Sequence, residues 1–176
     1  MDRSYGKPTM FQASAHDRFL TLLDQHRRIL FKIANAYGRS PENREDLVQE
    51  MVLQLWRSFP RYDEKRRFST WLYRVALNVA ISFCRGETRR PRTGVSENVL
   101  EVAATDLPEQ HDDLRLLEQF IGRLNELDRA LVLLYLDGNP YETIGEILGI
   151  TATNVGTKLG RVKDKLRQMA TDHGIK

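Results

Sequence analysis

The chain has 176 residues, of which 41% are hydrophobic, with 27 Lys/Arg against 24 Asp/Glu and a single cysteine. That apolar content supports the core of one ordinary domain or two small ones; Cys84 alone excludes an intramolecular disulfide and fits a reducing cytoplasm; and no apolar run approaches the ~18 residues of a membrane span. The N-terminal stretch lacks the apolar segment of a signal peptide, and one cysteine with four scattered histidines makes no structural zinc set.

The pattern is helical almost throughout, with no sustained alternation of strand type. Residues 1–15 are expected to form a disordered tail. Phe19, Leu20, Leu23, Leu30, Phe31 and Ile33 fit a helix over 17–37, broken by Gly38, Ser40 and Pro41. Leu47, Val48, Met51, Val52, Leu55, Trp56 and Phe59 then predict an amphipathic helix that Pro60 stops. Ser69 or Thr70 can cap a third, with Leu72, Val75, Ala76, Val79, Ala80 and Phe83 on its buried side.

Residues 88–112 lose the pattern and carry Pro91, Gly94 and Pro108, which predicts a flexible linker. Beyond it Leu114, Leu117, Phe120, Ile121 and Leu124 predict one helix. Leu127, Leu131, Leu134 and Tyr135 predict another, ended by Asp137-Gly138-Asn139-Pro140. Ile144, Ile147 and Leu148 predict a short helix, and Gly149 sits where a tight turn requires a positive φ. A last helix is expected from about Thr153 to Met169. The fold class is therefore all-α: a domain over 16–88, a linker over 89–112, and a second domain over 113–176.

The net charge of +3 conceals a strong asymmetry. Residues 57–92 hold ten basic and three acidic side chains, 93–118 one and seven, and 158–167 five and one. Two basic patches thus flank an acidic stretch, which favours a polyanionic partner.

Three segments carry functional signal. The segment PYETIGEILGITATNVGTKLGRVKDKLR reads as a helix-turn-helix. Val155, Leu159, Val162 and Leu166 form its packed stripe, so Thr157 and Arg161 point outward with Asn154, Lys158 and Lys165 beside them. Arg and Thr suit base edges in the major groove, and Lys suits phosphates; the bland reading is a solvated face. Gly156 and Gly160, each costing ~1 kcal/mol in a helix interior, fit close approach of either DNA backbone or another helix, with Lys163 nearby. In the first half, Asp46, Gln49 and Glu50 share the polar side of REDLVQEMVLQLW; with no His, nucleophile or metal cluster beside them they are not catalytic. Between these, FPRYDEKRRFSTWLYRVALNVAISFCRGETRR interleaves Tyr62, Phe68, Trp71 and Tyr73 with Arg61, Arg66, Arg67, Arg74 and Arg85. Basic residues neutralise phosphates and aromatic faces stack on unpaired bases, although Phe68 and Trp71 fit a core role equally well.

Taken in this order, REDLVQEMVLQLW, RFSTWLYRVALNVA and ETIGEILGITATNVGTKLGRVKDKLR resemble the extracytoplasmic-function group of bacterial sigma-70-type RNA polymerase sigma factors. The resemblance implies a non-enzymatic initiation factor without metal or cofactor, partnered by core RNA polymerase (β′ clamp coiled coil and β subunit), promoter DNA and an anti-sigma protein. It places Asp46, Gln49 and Glu50 on the clamp. It places Arg61, Tyr62, Asp63, Arg66, Arg67, Phe68, Ser69, Thr70, Trp71, Arg74 and Asn78 at the −10 element, the loop holding an extruded base. It places Asn154, Thr157, Lys158, Arg161 and Lys163 at the −35 element. The acidic linker resembles the segment that passes through the polymerase interior. Gly156 and Gly160 depart from the larger or basic residues common there, and Gly86, Glu87 and Thr88 interrupt the usual basic run. A free-standing helix-turn-helix regulator explains the second half but not the acidic face of the first. An RNA-binding or adaptor protein explains the basic aromatic segment but not the helix-turn-helix. Cys84 is expected to be a core residue.

Overall fold

The computed structural model describes residues 10–89 and 112–174. Within them the order is α1 (Met10–Tyr37), α2 (Pro41–Ser58), a 3-10 turn (Phe59–Arg61), α3 (Phe68–Arg89), α4 (Asp112–Gly122), α5 (Glu126–Leu136), α6 (Tyr141–Leu148) and α7 (Ala152–Asp172). The described residues contain no strand, as the periodicity predicts. Most of the expected linker lies outside the described residues.

Local chemistry sets the helix bounds. Ser40 caps α2, its hydroxyl accepting from the Asn43 amide at 3.2 Å, while Pro41 takes the first position, where no amide is needed. Asn125 caps α5 through the Asp128 amide, and Thr151 caps α7 through the Asn154 amide. Gly149 ends α6 at φ 70°, the left-handed turn that its position predicts. Two starts differ from expectation. The first helix begins at Met10, inside the expected tail, because Met10, Gln12 and Ala13 are good helix formers. The third begins at Phe68, so neither Ser69 nor Thr70 is its cap; Thr70 is buried within the first turn.

The first three helices pack around Ile33, Leu47, Met51, Leu55, Leu72 and Leu77, all at most 2% exposed. The last four pack around Leu131, Leu134, Ile144, Val155 and Leu159. Several apolar residues of the sequence stripes stay outside: Leu20, Phe31, Trp56, Leu117, Leu127 and Tyr135 are exposed. Leu20, Phe31 and Trp56 lie at the margins of their stripes, where a step of one residue turns the helix by 100°, so Phe19 and Leu30 are buried where Leu20 and Phe31 are not. Leu117 and Leu127, by contrast, lie one turn nearer the starts of their helices than the buried Ile121 and Leu131. Cys84 is buried, its sulfur 3.6 Å from the Tyr37 carbonyl oxygen.

The two helical sets share one continuous buried cluster. The C-terminal end of α1 meets α5: the Tyr37 hydroxyl donates to the Glu126 carbonyl at 2.6 Å, and Arg129 donates to the Ala36 carbonyl at 2.8 Å. Alongside, α3 packs on α5 and α6. Burial pushes the phenols of Tyr37 and Tyr73 far above the usual range, reinforced at Tyr73 by its hydrogen bond to Asp137. Both therefore remain donors at neutral pH. A raised acid pKa contributes stability below the ordinary tyrosine value of about 10 and loses it as pH rises beyond.

Two glycines should respond oppositely to alanine. At Gly145 an added Cβ would stand 2.6 Å from the Ile150 carbonyl oxygen, whereas at Gly160 it meets nothing within 4 Å. Gly160→Ala should stabilise the protein by about 1 kcal/mol, and Gly145→Ala should destabilise it, as read by urea unfolding.

Candidate nucleic-acid and polymerase interface

The polar face of α2 forms because Leu47, Met51 and Leu55 must turn inward. Asp46, Gln49 and Glu50 are all exposed on it. Beside them runs an apolar groove of about 500 Å³, lined by His16, Leu20, Gln49, Val52, Leu53 and Trp56. Sequence periodicity placed Trp56 in the core. It is 40% exposed, its ring held against Phe19 at 5.1 Å and edge-on to His16 at 5.3 Å. Leu53, outside the packed stripe of α2, was the available sign of this groove. A second cleft of about 400 Å³ between α2 and α3 brings Glu50 and Asn78 together over Val75, Val79 and Phe83.

The segment between α2 and α3 is an ordered loop. Asp63 accepts from the Lys65 amide at 3.0 Å, the Arg66 amide bonds to the Asp63 carbonyl, and the Tyr62 hydroxyl donates to the Arg66 carbonyl at 2.7 Å. Glu64 pairs with Arg18 of α1, whose hydrogen bond holds the Glu64 carboxyl below its ordinary value. The Tyr62 ring lies 6.0 Å from Phe59 in a stacked arrangement and 5.1 Å from Trp71, and Phe68 closes the cluster edge-on. Burial raises the Tyr62 phenol.

Around this cluster Arg61, Asp63, Arg66, Arg67, Arg74 and Asn78 are exposed, while Tyr62, Ser69 and Trp71 are half-buried. Phe68 and Thr70 face the interior. The Phe68 ring packs against His26 of α1 and against Tyr62 and Trp71, so it is turned inward. Arg66 is exposed but engaged, 2.7 Å from the Glu146 carboxylate of α6.

On α7, Val155, Leu159 and Val162 are buried and Leu166 is half-buried. Asn154, Thr157, Lys158 and Arg161 are exposed together. The Thr157 hydroxyl donates back to the Thr153 carbonyl at 3.1 Å. Two lysines are less free than the helical wheel implies. Lys163 lies over the Tyr135 ring, 4.3 Å from its centroid and 3.1 Å from its hydroxyl, and Lys165 pairs with Asp128 at 2.8 Å. Asp164, which the sequence argument passed over, is exposed on α7 and paired with Arg167. Gly156 lies under the Tyr141 ring, where a Cβ would stand 3.4 Å away, so this glycine answers to helix packing; the space over Gly160 is open.

Among the described residues no group of three His, Cys, Asp or Glu side chains is placed to hold a metal, and no helix is long and apolar enough to cross a membrane.

Two family models match the chain in the order of these surfaces. Sigma-70 region 2 covers residues 22–90, with α2, the loop and α3, and Sigma-70 region 4 covers 114–166, with the helix-turn-helix. The chain is 29% identical over 158 residues to the ECF RNA polymerase sigma factor SigE of Mycolicibacterium smegmatis, a match covering 86% of this chain and 61% of that one. It is 27% identical over 174 residues to the ECF RNA polymerase sigma factor SigW of Bacillus subtilis, covering 89% and 90%. Among solved structures, CnrH in complex with the cytosolic domain of CnrY matches at TM-score 0.67 and 22% identity, over 91% of this chain and 94% of that one. The sigma factor RpoE of Bartonella quintana, in complex with the anti-sigma factor NepR, matches at TM-score 0.67 and 20% identity, over 89% and 96%. The surfaces and both matches define a two-region transcription initiation protein of sigma type. The chain belongs to the sigma-70 family, in its extracytoplasmic-function group.

Burial separates packed from exposed residues at the start of α3. Phe68→Ala should cost about 3–5 kcal/mol of stability, whereas Arg74→Ala should leave the unfolding midpoint within experimental error. Thermal melts of the two variants check this.

Proposed function

We propose that the chain joins core RNA polymerase through the polar face of α2 and directs it to a two-part promoter, the first half meeting the −10 element as single strand and α7 reading the −35 element. The observation that carries this reading is the pairing, within one chain, of an acidic and amide face beside an apolar groove with a separate helix-turn-helix. A free-standing regulator has use for the second and none for the first. Asp46, Gln49 and Glu50 supply hydrogen-bonding groups beside the apolar groove, a combination that suits a partner helix with basic and apolar residues on adjoining faces.

In the first half, Arg61, Arg67 and Arg74 offer positive charge to phosphates around the half-buried Tyr62 and Trp71, whose rings can support an extruded base. In the second, Arg161 reaches guanine acceptors and Thr157 offers its methyl group, while Lys158 takes phosphate. The first domain comprises α1 to α3 and the second α4 to α7, with the chain between Arg89 and Asp112 as linker. The protein acts by binding, with no reaction of its own, in the cytoplasm where polymerase is found. An anti-sigma protein is the fitting regulator, since both structural relatives were solved with such a partner or with a cytosolic binding domain.

Pull-down with purified core polymerase tests the first step. Charge reversal at Glu50 combined with Gln49→Ala should weaken capture about tenfold or more, the loss of roughly one charge-assisted hydrogen bond, with a native melting curve. Unchanged capture removes α2 from the interface.

The reading face of α7 has its own test. Arg161→Ala should relax preference at one or two base pairs by about 1–3 kcal/mol. Lys158→Ala should weaken all sequences alike and reduce the salt slope by about one unit. A screen of −35 variants at two salt concentrations separates the two.

A further inference from the structure

The basic patch at 158–167 holds one acid among its five cations, and that acid is Asp164. Asp164 follows Thr157 by seven residues and Thr153 by eleven, and both spacings return to within about 20° of the same helix face. All three side chains are exposed, that of Asp164 to 75%. The face that offers Thr157 to bases therefore ends, two turns later, in a carboxylate.

The cations around it are unequally available. Lys163 lies over the Tyr135 ring, Lys165 pairs with Asp128, whose side chain is only 15% exposed, and Arg167 pairs with Asp164 at 2.8 Å. Lys158 and Arg161 are exposed and form no ion pair among the described residues. The first turn of α7 carries no acid, and its amides add partial positive charge at that end. Positive charge open to a polyanion is thus concentrated in the first half of α7, while the cations of the second half are engaged by the chain's own groups. Length makes this matter. The helix has 21 residues, about 31 Å at ~1.5 Å per residue, against a major groove about 12 Å wide. Such a helix can dock by its first turns or lie flat along the phosphates. Flat docking needs no particular base sequence. A carboxylate at 164 opposes it by like-charge repulsion and by holding Arg167.

We propose that Asp164 is a specificity-determining residue that acts by exclusion: it keeps phosphate off the second half of α7 and confines docking to the first turns, where Thr157 and Arg161 meet base edges. This role rests on α7 being the −35 reader, as proposed above. Asp164 makes no base contact itself. It lowers affinity for DNA of any sequence more than affinity for the preferred one, and discrimination is the difference between the two.

The test uses the full chain and duplex DNA. Wild type first enriches a preferred duplex from a random-sequence pool. Asp164→Asn, which removes the charge and keeps the size, is then measured against that duplex and against random duplex over a salt series. The variant should bind random duplex several-fold more tightly, with a salt slope steeper by about one unit as Arg167 gains a phosphate. Its affinity for the enriched duplex should change less, so the ratio of the two falls several-fold. Asp164→Glu should keep the wild-type ratio. Asp164→Asn combined with Arg167→Gln should return random-duplex binding and salt slope to wild-type values. Glu118→Gln removes an equal charge at an exposed site on α4 and should leave the ratio unaltered. Helical circular dichroism should be retained throughout, since every substituted side chain is exposed. An Asp164→Asn chain with wild-type ratio and slope, or a Glu118→Gln chain with the same gain, overturns the exclusion, while the wild-type preference still supports α7 as reader. A wild type that enriches no duplex overturns the reading of α7 and the role of Asp164 with it.

Discussion

A guanidinium placed between two helix ends organises the joint between the halves. Arg129 donates to the carbonyls of Gly122 and Leu124, at the end of α4, and to Ala36, in the last turn of α1. Its plane stands 5.1 Å from the Tyr37 ring. The terminal carbonyls of a helix have no amide of their own, and when they are buried something must supply the donors. One planar group with several N–H donors does so for two helices at once, which an ammonium on a flexible stem does less well. The placement of α5 against α1 follows from it, and with α5 comes the position of Asp137 between Lys32 and Tyr73.

A second organising element is the aromatic chain of the first half. Trp56 contacts Phe19, Phe19 contacts Phe59, and Phe59 contacts Tyr62 and Trp71, with Phe68 closing the far end. Edge-to-face and tilted pairs of this kind add to area burial and define orientation. They connect the apolar groove beside α2 with the loop that carries Tyr62 through packed rings alone. The groove and the loop are therefore joined by one packed series of rings, so the two surfaces proposed for this half share their supporting side chains.

Much of this was legible in the sequence, for reasons that are local. Pro41 and Ser40 fix the start of α2, Gly149 the turn of the helix-turn-helix, and the spacing of Val155, Leu159 and Val162 the buried side of α7. Once that stripe is known, Thr157 and Arg161 must point outward. Where the structure adds to the sequence argument, the deciding contact is distant in the chain. Phe68 sits among basic residues, yet His26 of α1 packs against its ring. Lys163 stands outward on the helical wheel, but lies over the ring of Tyr135 on α5.

Helix content, element order and the two basic surfaces are thus properties of the sequence by itself, because capping, periodicity and charge act over a few residues. The edges of each buried stripe belong to the tertiary structure. Trp56 and Leu127 are apolar, yet both remain at the surface, Trp56 with only one side of its ring against Phe19 and His16 of α1. The same holds for the joint between the halves. Asp137 reads as one more turn residue before Gly138, and only the arrival of α1 and α3 gives its carboxylate Lys32 and Tyr73 as partners. A carboxylate in a turn is satisfied by water when exposed and needs donors when covered, and which condition applies is decided by packing across more than sixty residues of chain.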